Sequence, residues 1–147
     1  TFCLVIPRVH DLWEQPGPEV YRCIHFSMTK AFRQLGARVC LQSKPPGSPA
    51  GVCFSRAEIN DIVLESTGAK VAGAAMKRNK RGLLFQGSIW KPLLPGFDWE
   101  AFINVFAQRL AEDTRTEVEY PGWPTFDPDE ETALIEQYAS PEWIEAR

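Results

Sequence analysis

Apolar residues recur every three or four positions through "PEVYRCIHFSMTKAFRQLG", at Val20, Ile24, Met28, Phe32 and Leu35, the period of one buried helical face. Pro18 opens this stretch and Gly36 follows it, matching the preference for proline in the first turn and glycine just past the last. The spacing predicts a helix here. A second helical period runs through "FDWEAFINVFAQRLAED", at Trp99, Phe102, Ile103, Phe106 and Leu110. Near the end of the sequence Asp127, Pro128 and Glu130 read as an N-cap, a first-turn proline and a capping-box acid, and Ser140 with Pro141 in "SPEWIEAR" offers another helix start.

The remaining apolar runs have β character. "TFCLVIP" reads as a strand and "ARVCLQ" as a short one, whereas "PRVHDLWEQPGP" and "SKPPGSPAG" are rich in turn formers and read as loops, the second leading to Val52 and Cys53. "INDIVLESTGAKVAGAAMKRNKRGLLFQGSIW" contains three β-like runs, broken by turn signals at Ser66 to Gly68 and at Arg78 to Gly82. These predict an antiparallel meander. The expected class is α+β: a mixed, largely antiparallel sheet flanked by helices. The opening at Thr1, without methionine and already inside a strand pattern, leads us to expect that an N-terminal part precedes it.

Composition narrows the choice of chemistry. With 147 residues and a mass of 16.6 kDa, one domain spanning 1–147 is expected. A formal charge of -3 argues against nucleic acid as the main partner, while leaving room for a local basic patch. Cys3, Cys23, Cys40 and Cys53 show no CxxC spacing, and only His10 and His25 could complete a ligand set, so no structural metal is expected. No leader and no membrane-spanning run stands out, and a cytoplasmic, reducing compartment is expected. The aromatic set Trp90, Trp99, Phe102 and Phe106 reads as core packing, and neither histidine has motif support.

The unusual stretch is "GAKVAGAAMKRNKRGLLFQGS", residues 68–88. On spacing alone Lys70 is a solvated lysine at a strand start. Its setting adds a second reading, because Gly73 inside a strand marks a bulge or the close approach of another group, and Ala72, Ala74 and Ala75 extend a thin wall. Lys77, Arg78, Lys80 and Arg81 make "KRNKR", Lys77 to Arg81, read as a basic turn, either simply solvated or a docking point. Asn60 and Asp61 either line the same pocket or form an Asx-type turn. Cys53 reads as a small buried thiol.

These residues resemble the central signature of the biotin/lipoate protein ligase family, a Gly-x-Lys-hydrophobic-x-Gly-small-Ala segment followed by a basic turn and a Leu-x-x-Gly-Ser strand. The similarity extends upstream through "CFSRAEINDIVLESTGAK" and, more loosely, to "SPEWIEAR". The resemblance implies the mixed ligase architecture and an acyltransferase of lipoate metabolism, which moves an octanoyl or lipoyl group onto a lysine of a lipoyl domain. It implies Cys53 as acyl-accepting nucleophile and Lys70 as oxyanion stabiliser, the catalytic pair. It also implies that Val71, Ala72, Gly73, Ala74, Asn60, Asp61, Gly87 and Ser88 line the substrate site. The partners implied are the acidic lipoyl domain of a 2-oxoacid dehydrogenase or glycine cleavage protein, docking at the basic turn, and an acyl carrier protein; neither nucleic acid nor membrane is expected.

The transferase reading needs no cofactor, since a Cys53 thioester forms without ATP. Two alternatives stand beside it. An ATP-dependent lipoate-protein ligase would use Mg²⁺ and an acyl-adenylate beside Lys70, with Cys53 incidental. A catalytically silent homologue would only bind the lipoyl domain or the acyl group. Two departures from the family pattern are visible: the upstream Arg-Arg-x-x-Gly-Gly type segment is absent from this sequence, and Phe85 stands where many members carry histidine.

Overall fold

The computed structural model describes residues 1–45, 56–122 and 125–145. The predicted first helix is α1 (Gly17–Gln34), packed over a sheet built from β1 (Phe2–Pro7), β2 (Val39–Leu41), β3 (Ile62–Leu64), β4 (Lys70–Asn79) and β5 (Gly82–Ile89). The strand order is β1-β5-β4-β3-β2, and every pairing is antiparallel. The β3–β4–β5 meander is thus present as expected. Helix α2 (Trp99–Thr114) lies beside α1, and α3 (Pro128–Ala139) and α4 (Pro141–Glu145) follow.

Register decides which side chains meet α1. Phe2, Leu4 and Ile6 stand opposite Gly87, Phe85 and Leu83, while Ala74 and Met76 stand opposite Gly87 and Phe85. Directly opposed residues share a face. This face packs with Val20 and Ile24 of α1, and a second cluster joins Met28, Ala31 and Phe32 to Val39, Ile62, Val71, Ala72 and Phe102. The four-residue spacing of Val20, Ile24, Met28 and Phe32 therefore supplies one continuous buried stripe. Gly36 takes φ +86°, the left-handed conformation that ends a helix at little cost to glycine.

α2 is anchored to α1 by ring stacking and by a shared carboxylate, among other contacts. Phe32 stacks on Phe102 with centroids 4.3 Å apart, and Asp113 accepts from Ser27 Oγ at 2.7 Å and pairs with Lys30 Nζ at 2.5 Å. Burial alone would raise the Asp113 carboxyl, but the Lys30 and Ser27 hydrogen bonds outweigh it and hold the group below its usual range. In contrast, α3 and α4 bury none of their described residues; Tyr138 meets Trp143 edge-on at 4.8 Å, and Leu134, Ile135 and Ile144 stay exposed.

Two expectations are corrected. Lys77 and Arg78 belong to β4, and only Lys80 and Arg81 form the turn, closed by Asn79 Oδ1 accepting from the Arg81 and Gly82 amides. A strand with a solvent-facing side tolerates charge, so the cationic run did not mark the turn's length. Trp90 is half exposed, because it follows the end of β5 and leaves the sheet face that packs on α1. Phe102 and the partly buried Trp99 and Phe106 do pack as expected.

Phe32 is fully buried against both α2 and the sheet. Phe32→Ala is expected to cost about 3–5 kcal/mol in denaturant-induced unfolding, the range for a large cavity in a core. A loss below about 1 kcal/mol would mean that α2 closes over the gap.

Candidate functional site

Lys70 is the first residue of β4, and its side chain is only 12% exposed. Its ammonium lies 2.8 Å from Oδ2 of Asp61, whose side chain is 1% exposed, and also reaches the Arg56 carbonyl at 3.4 Å. Asp61 ends the tight approach to β3, where the Glu58 amide donates to Oδ2 at 2.7 Å and the Tyr21 hydroxyl donates to Oδ1 at 2.5 Å. A buried carboxylate persists only when paired and hydrogen-bonded, and removing one partner of such a pair costs about 3–5 kcal/mol. All of these partners are supplied locally or by α1 and β4.

The pairing of β3 with β4 is irregular. Ile62 opposes Ala72 and Val63 opposes Lys70, so one step along β3 spans two along β4, a bulge. Lys70 and Gly73 thereby come to lie together: a Cβ on Gly73 would collide with Lys70 Cε, fall 2.6 Å from its Nζ and 2.8 Å from Asp61 Oδ1. The missing side chain makes room for the ion pair. Across the sheet, a Cβ on Gly87 would fall 2.5 Å from both the Gly73 carbonyl oxygen and Phe2 Cζ.

Tyr21 and His25, one helical turn apart on α1, complete the site. Tyr21 Oη also accepts from the Ala74 amide at 2.8 Å, and burial, followed by the Asp61 hydrogen bond, pushes its phenol far above the ordinary range. His25 is fully buried; its ring lies edge-on to Tyr21 at 4.3 Å and to Phe85 at 5.5 Å. His25 Nδ1 lies 2.7 Å from the Asn60 carbonyl, which only accepts, so Nδ1 carries the proton and Nε2 is left with a buried lone pair that has no partner among the described residues. Burial pulls the imidazole down to about 4.

The other predicted residues divide clearly. Asn60, at φ +69°, places its carbonyl on His25 and its amide on Gln42, while Val71 and Ala72 are fully buried in the core under α1. Ala74 is half-buried, and Ser88 is half-buried opposite Gly73. Cys53 lies outside the described residues. Of the described cysteines, Cys3 is exposed and Cys23 and Cys40 are half-buried; burial and then the Asp113 charge push the Cys23 thiol up. His10 accepts from the Leu12 amide at 3.1 Å and caps a 3₁₀ turn.

Lys77, Arg78, Lys80 and Arg81 are all exposed and form no ion pair with an acid among the described residues. Trp13 lies between Arg78 and Arg8, at 5.2 and 5.8 Å, and Arg78 donates to the Gln15 carbonyl at 2.6 Å. The basic end of the hairpin is separated from Lys70 by the length of β4, roughly 30 Å at about 3.3 Å per residue. Tyr21, Arg8 and Trp13 were not singled out by sequence, and His25 was considered there only as a residue without motif support. The i, i+4 spacing of Tyr21 and His25 was the available signal, since it sets both on one side of α1 next to the buried stripe.

The family model described as the biotin/lipoate A/B protein ligase family matches residues 1–91. The chain belongs to that family. Octanoyltransferase LipM of Macrococcus caseolyticus is 26% identical over 125 residues, covering 76% of this chain and 42% of LipM, so the chain spans less than half the length of that relative. A candidate lipoate protein ligase from T. acidophilum, solved with bound lipoic acid, superposes with a TM-score of 0.58 at 15% identity, covering 86% of this chain and 58% of that one. That likeness shows that the five-stranded antiparallel sheet with its flanking helices is the fold of this structural neighbour. Among the described residues no helix is long and apolar enough to cross a membrane.

Two outcomes follow from the geometry. Gly73→Ala meets mainly the flexible end of Lys70, so the variant is expected to fold, with Lys70 displaced from Asp61; a crystal structure of the variant that retains the 2.8 Å contact would refute this. For His25, the unfolded imidazole titrates near 6.5 and the folded one near 4, so between these values the unfolded chain binds more protons. Stability is expected to fall as pH drops from about 6.5 to about 4, by roughly 3 kcal/mol, and this contribution stays constant above and below that window. Urea unfolding across this window checks it, with His25→Gln expected to lose that part of the acid slope.

Proposed function

We propose that the chain is the lysine-bearing portion of an octanoyltransferase of lipoate metabolism, which passes an octanoyl group from a carrier thioester to Cys53 and then to a lysine of a lipoyl domain. The observation that carries this reading is the Lys70 ammonium, held in a largely buried position on the family's signature strand by a carboxylate with 1% exposure. A fixed positive charge in a partly desolvated site stabilises the oxyanion that develops when a nucleophile attacks an acyl carbonyl. LipM as a relative supports transfer rather than ligation.

In this mechanism the Cys53 thiolate attacks the donor carbonyl, the tetrahedral oxyanion forms beside Lys70, and the carrier thiolate leaves. The acceptor amine then attacks the Cys53 thioester, the thiolate is expelled, and the amine's proton is lost to solvent. No nucleotide is consumed. The exposed cations Lys77, Arg78, Lys80 and Arg81 attract an acidic lipoyl domain and favour its encounter with this face.

The test is the intact mass of an apo lipoyl domain after incubation with the full-length protein. One arm supplies octanoyl carrier protein without ATP, and the other free octanoate or lipoate with Mg-ATP. Octanoylation from the carrier, abolished in Cys53→Ser and reduced at least 100-fold in Lys70→Ala, is the expected result, on the scale of losing one oxyanion donor at about 10²–10³. Modification only with ATP and insensitive to Cys53 would make it a ligase. No modification in either arm would leave a binding protein, and a fully active Lys70→Ala would remove Lys70 from the chemistry.

A further inference from the structure

We propose that Tyr21 is a positioning residue for Lys70, acting through Asp61. The inference deepens the transfer reading above and rests on it. Three observations carry it. First, β3 contributes only Ile62 and Val63 to the pairing with β4, so past Ala72 that edge of β4 has no strand beside it among the described residues. The Ala74 amide on this stretch is met instead by the Tyr21 hydroxyl at 2.8 Å. Second, the same hydroxyl donates to Oδ1 of Asp61 at 2.5 Å, while Lys70 holds the other oxygen at 2.8 Å. Third, the Tyr21 ring is itself fixed between His25 at 4.3 Å and Phe85 at 5.3 Å, each edge-on, and both of those residues are fully buried.

A phenol with one donor hydrogen and accepting lone pairs satisfies both demands at once, which neither phenylalanine nor a charged side chain does. The amide fixes where the oxygen sits, and the donated hydrogen fixes the plane of the carboxylate. That plane decides where Oδ2 presents itself to the ammonium. The Glu58 amide holds Oδ2 from the other side at 2.7 Å, so the carboxylate has one rotation left, and Tyr21 removes it. α1 thereby sets the position of a side chain on β4.

The first test is kinetic, with octanoyl carrier protein as donor and apo lipoyl domain as acceptor, in the full-length protein. Tyr21→Phe keeps the ring and removes the hydroxyl; kcat is expected to fall about 10²-fold, the scale of an ångström-sized misplacement, with KM for the donor within about twofold of wild type. Asp61→Asn is expected to fall similarly. In the double variant the loss should be no greater than in Asp61→Asn alone, because residues acting in series are not additive. Independent, additive losses would make Tyr21 a mere fold support and overturn the proposal.

The second test needs no activity. In ¹H–¹⁵N spectra that detect lysine ammonium groups, the Lys70 signal is expected in the wild type and lost or broadened in Tyr21→Phe; an unchanged signal overturns the proposal. If Tyr21→Phe does not fold, full kcat in Asp61→Asn overturns it equally. Lys70→Ala separates this inference from the reading beneath it. An inactive Lys70→Ala beside fully active Tyr21→Phe and Asp61→Asn sinks the positioning role alone. A fully active Lys70→Ala sinks the lysine chemistry, and the ammonium signal then judges whether Tyr21 positions Lys70.

Discussion

A carboxylate with almost no access to water must be met on every side, and in this protein that requirement at Asp61 ties three separate pieces of chain together. The hydroxyl comes from α1, the amide from residue 58 and the ammonium from the start of β4. Burying an ion pair brings no net stability by itself, since desolvation offsets the attraction. What it does is exclude alternatives, because any arrangement that separates these partners leaves a buried charge unpaired. The close fit of helix to sheet, the bare backbone at Gly73 and the early end of β3 all accommodate that one carboxylate.

The parts of the fold that depend on local periodicity were legible. α1, α2 and the meander follow from apolar spacing and from turn residues, signals contained within a dozen positions. The extent of β4 was not, because charge at Lys77 and Arg78 reads the same in a turn and on the open face of a strand. Trp90 was misread because alternation says little about a residue at the end of a strand. Lys70 stood out through the motif, whereas its partner Asp61 was ambiguous: its carboxylate contacts Lys70 and the Glu58 amide three residues upstream, a backward contact and not the forward Asx turn that the sequence also allowed. Tyr21 was invisible because its importance comes from meeting residues 40 and 53 positions away.

The two cationic features of the chain differ in kind. Lys70 is enclosed and paired, so its charge acts at contact range and at low effective dielectric. The cations at the hairpin end are solvated, so theirs acts at a distance, weakens with salt and influences encounter rather than chemistry. In the proposed transfer, an acceptor drawn to the hairpin would still have to present its lysine at the opposite end of β4.

The bulge opposite Val63 also changes how the motif's spacing should be understood. In a regular strand, residues three apart point to opposite sides, so a lysine and a glycine at that interval would never meet. Here they do, because two residues of β4 share one step of β3. The interval between Lys70 and Gly73 thus encodes an irregularity of pairing. Deleting one residue within it would let the ladder run straight with lysine and glycine two apart and still on one side, so the amine's side of the sheet depends on bulge and interval together.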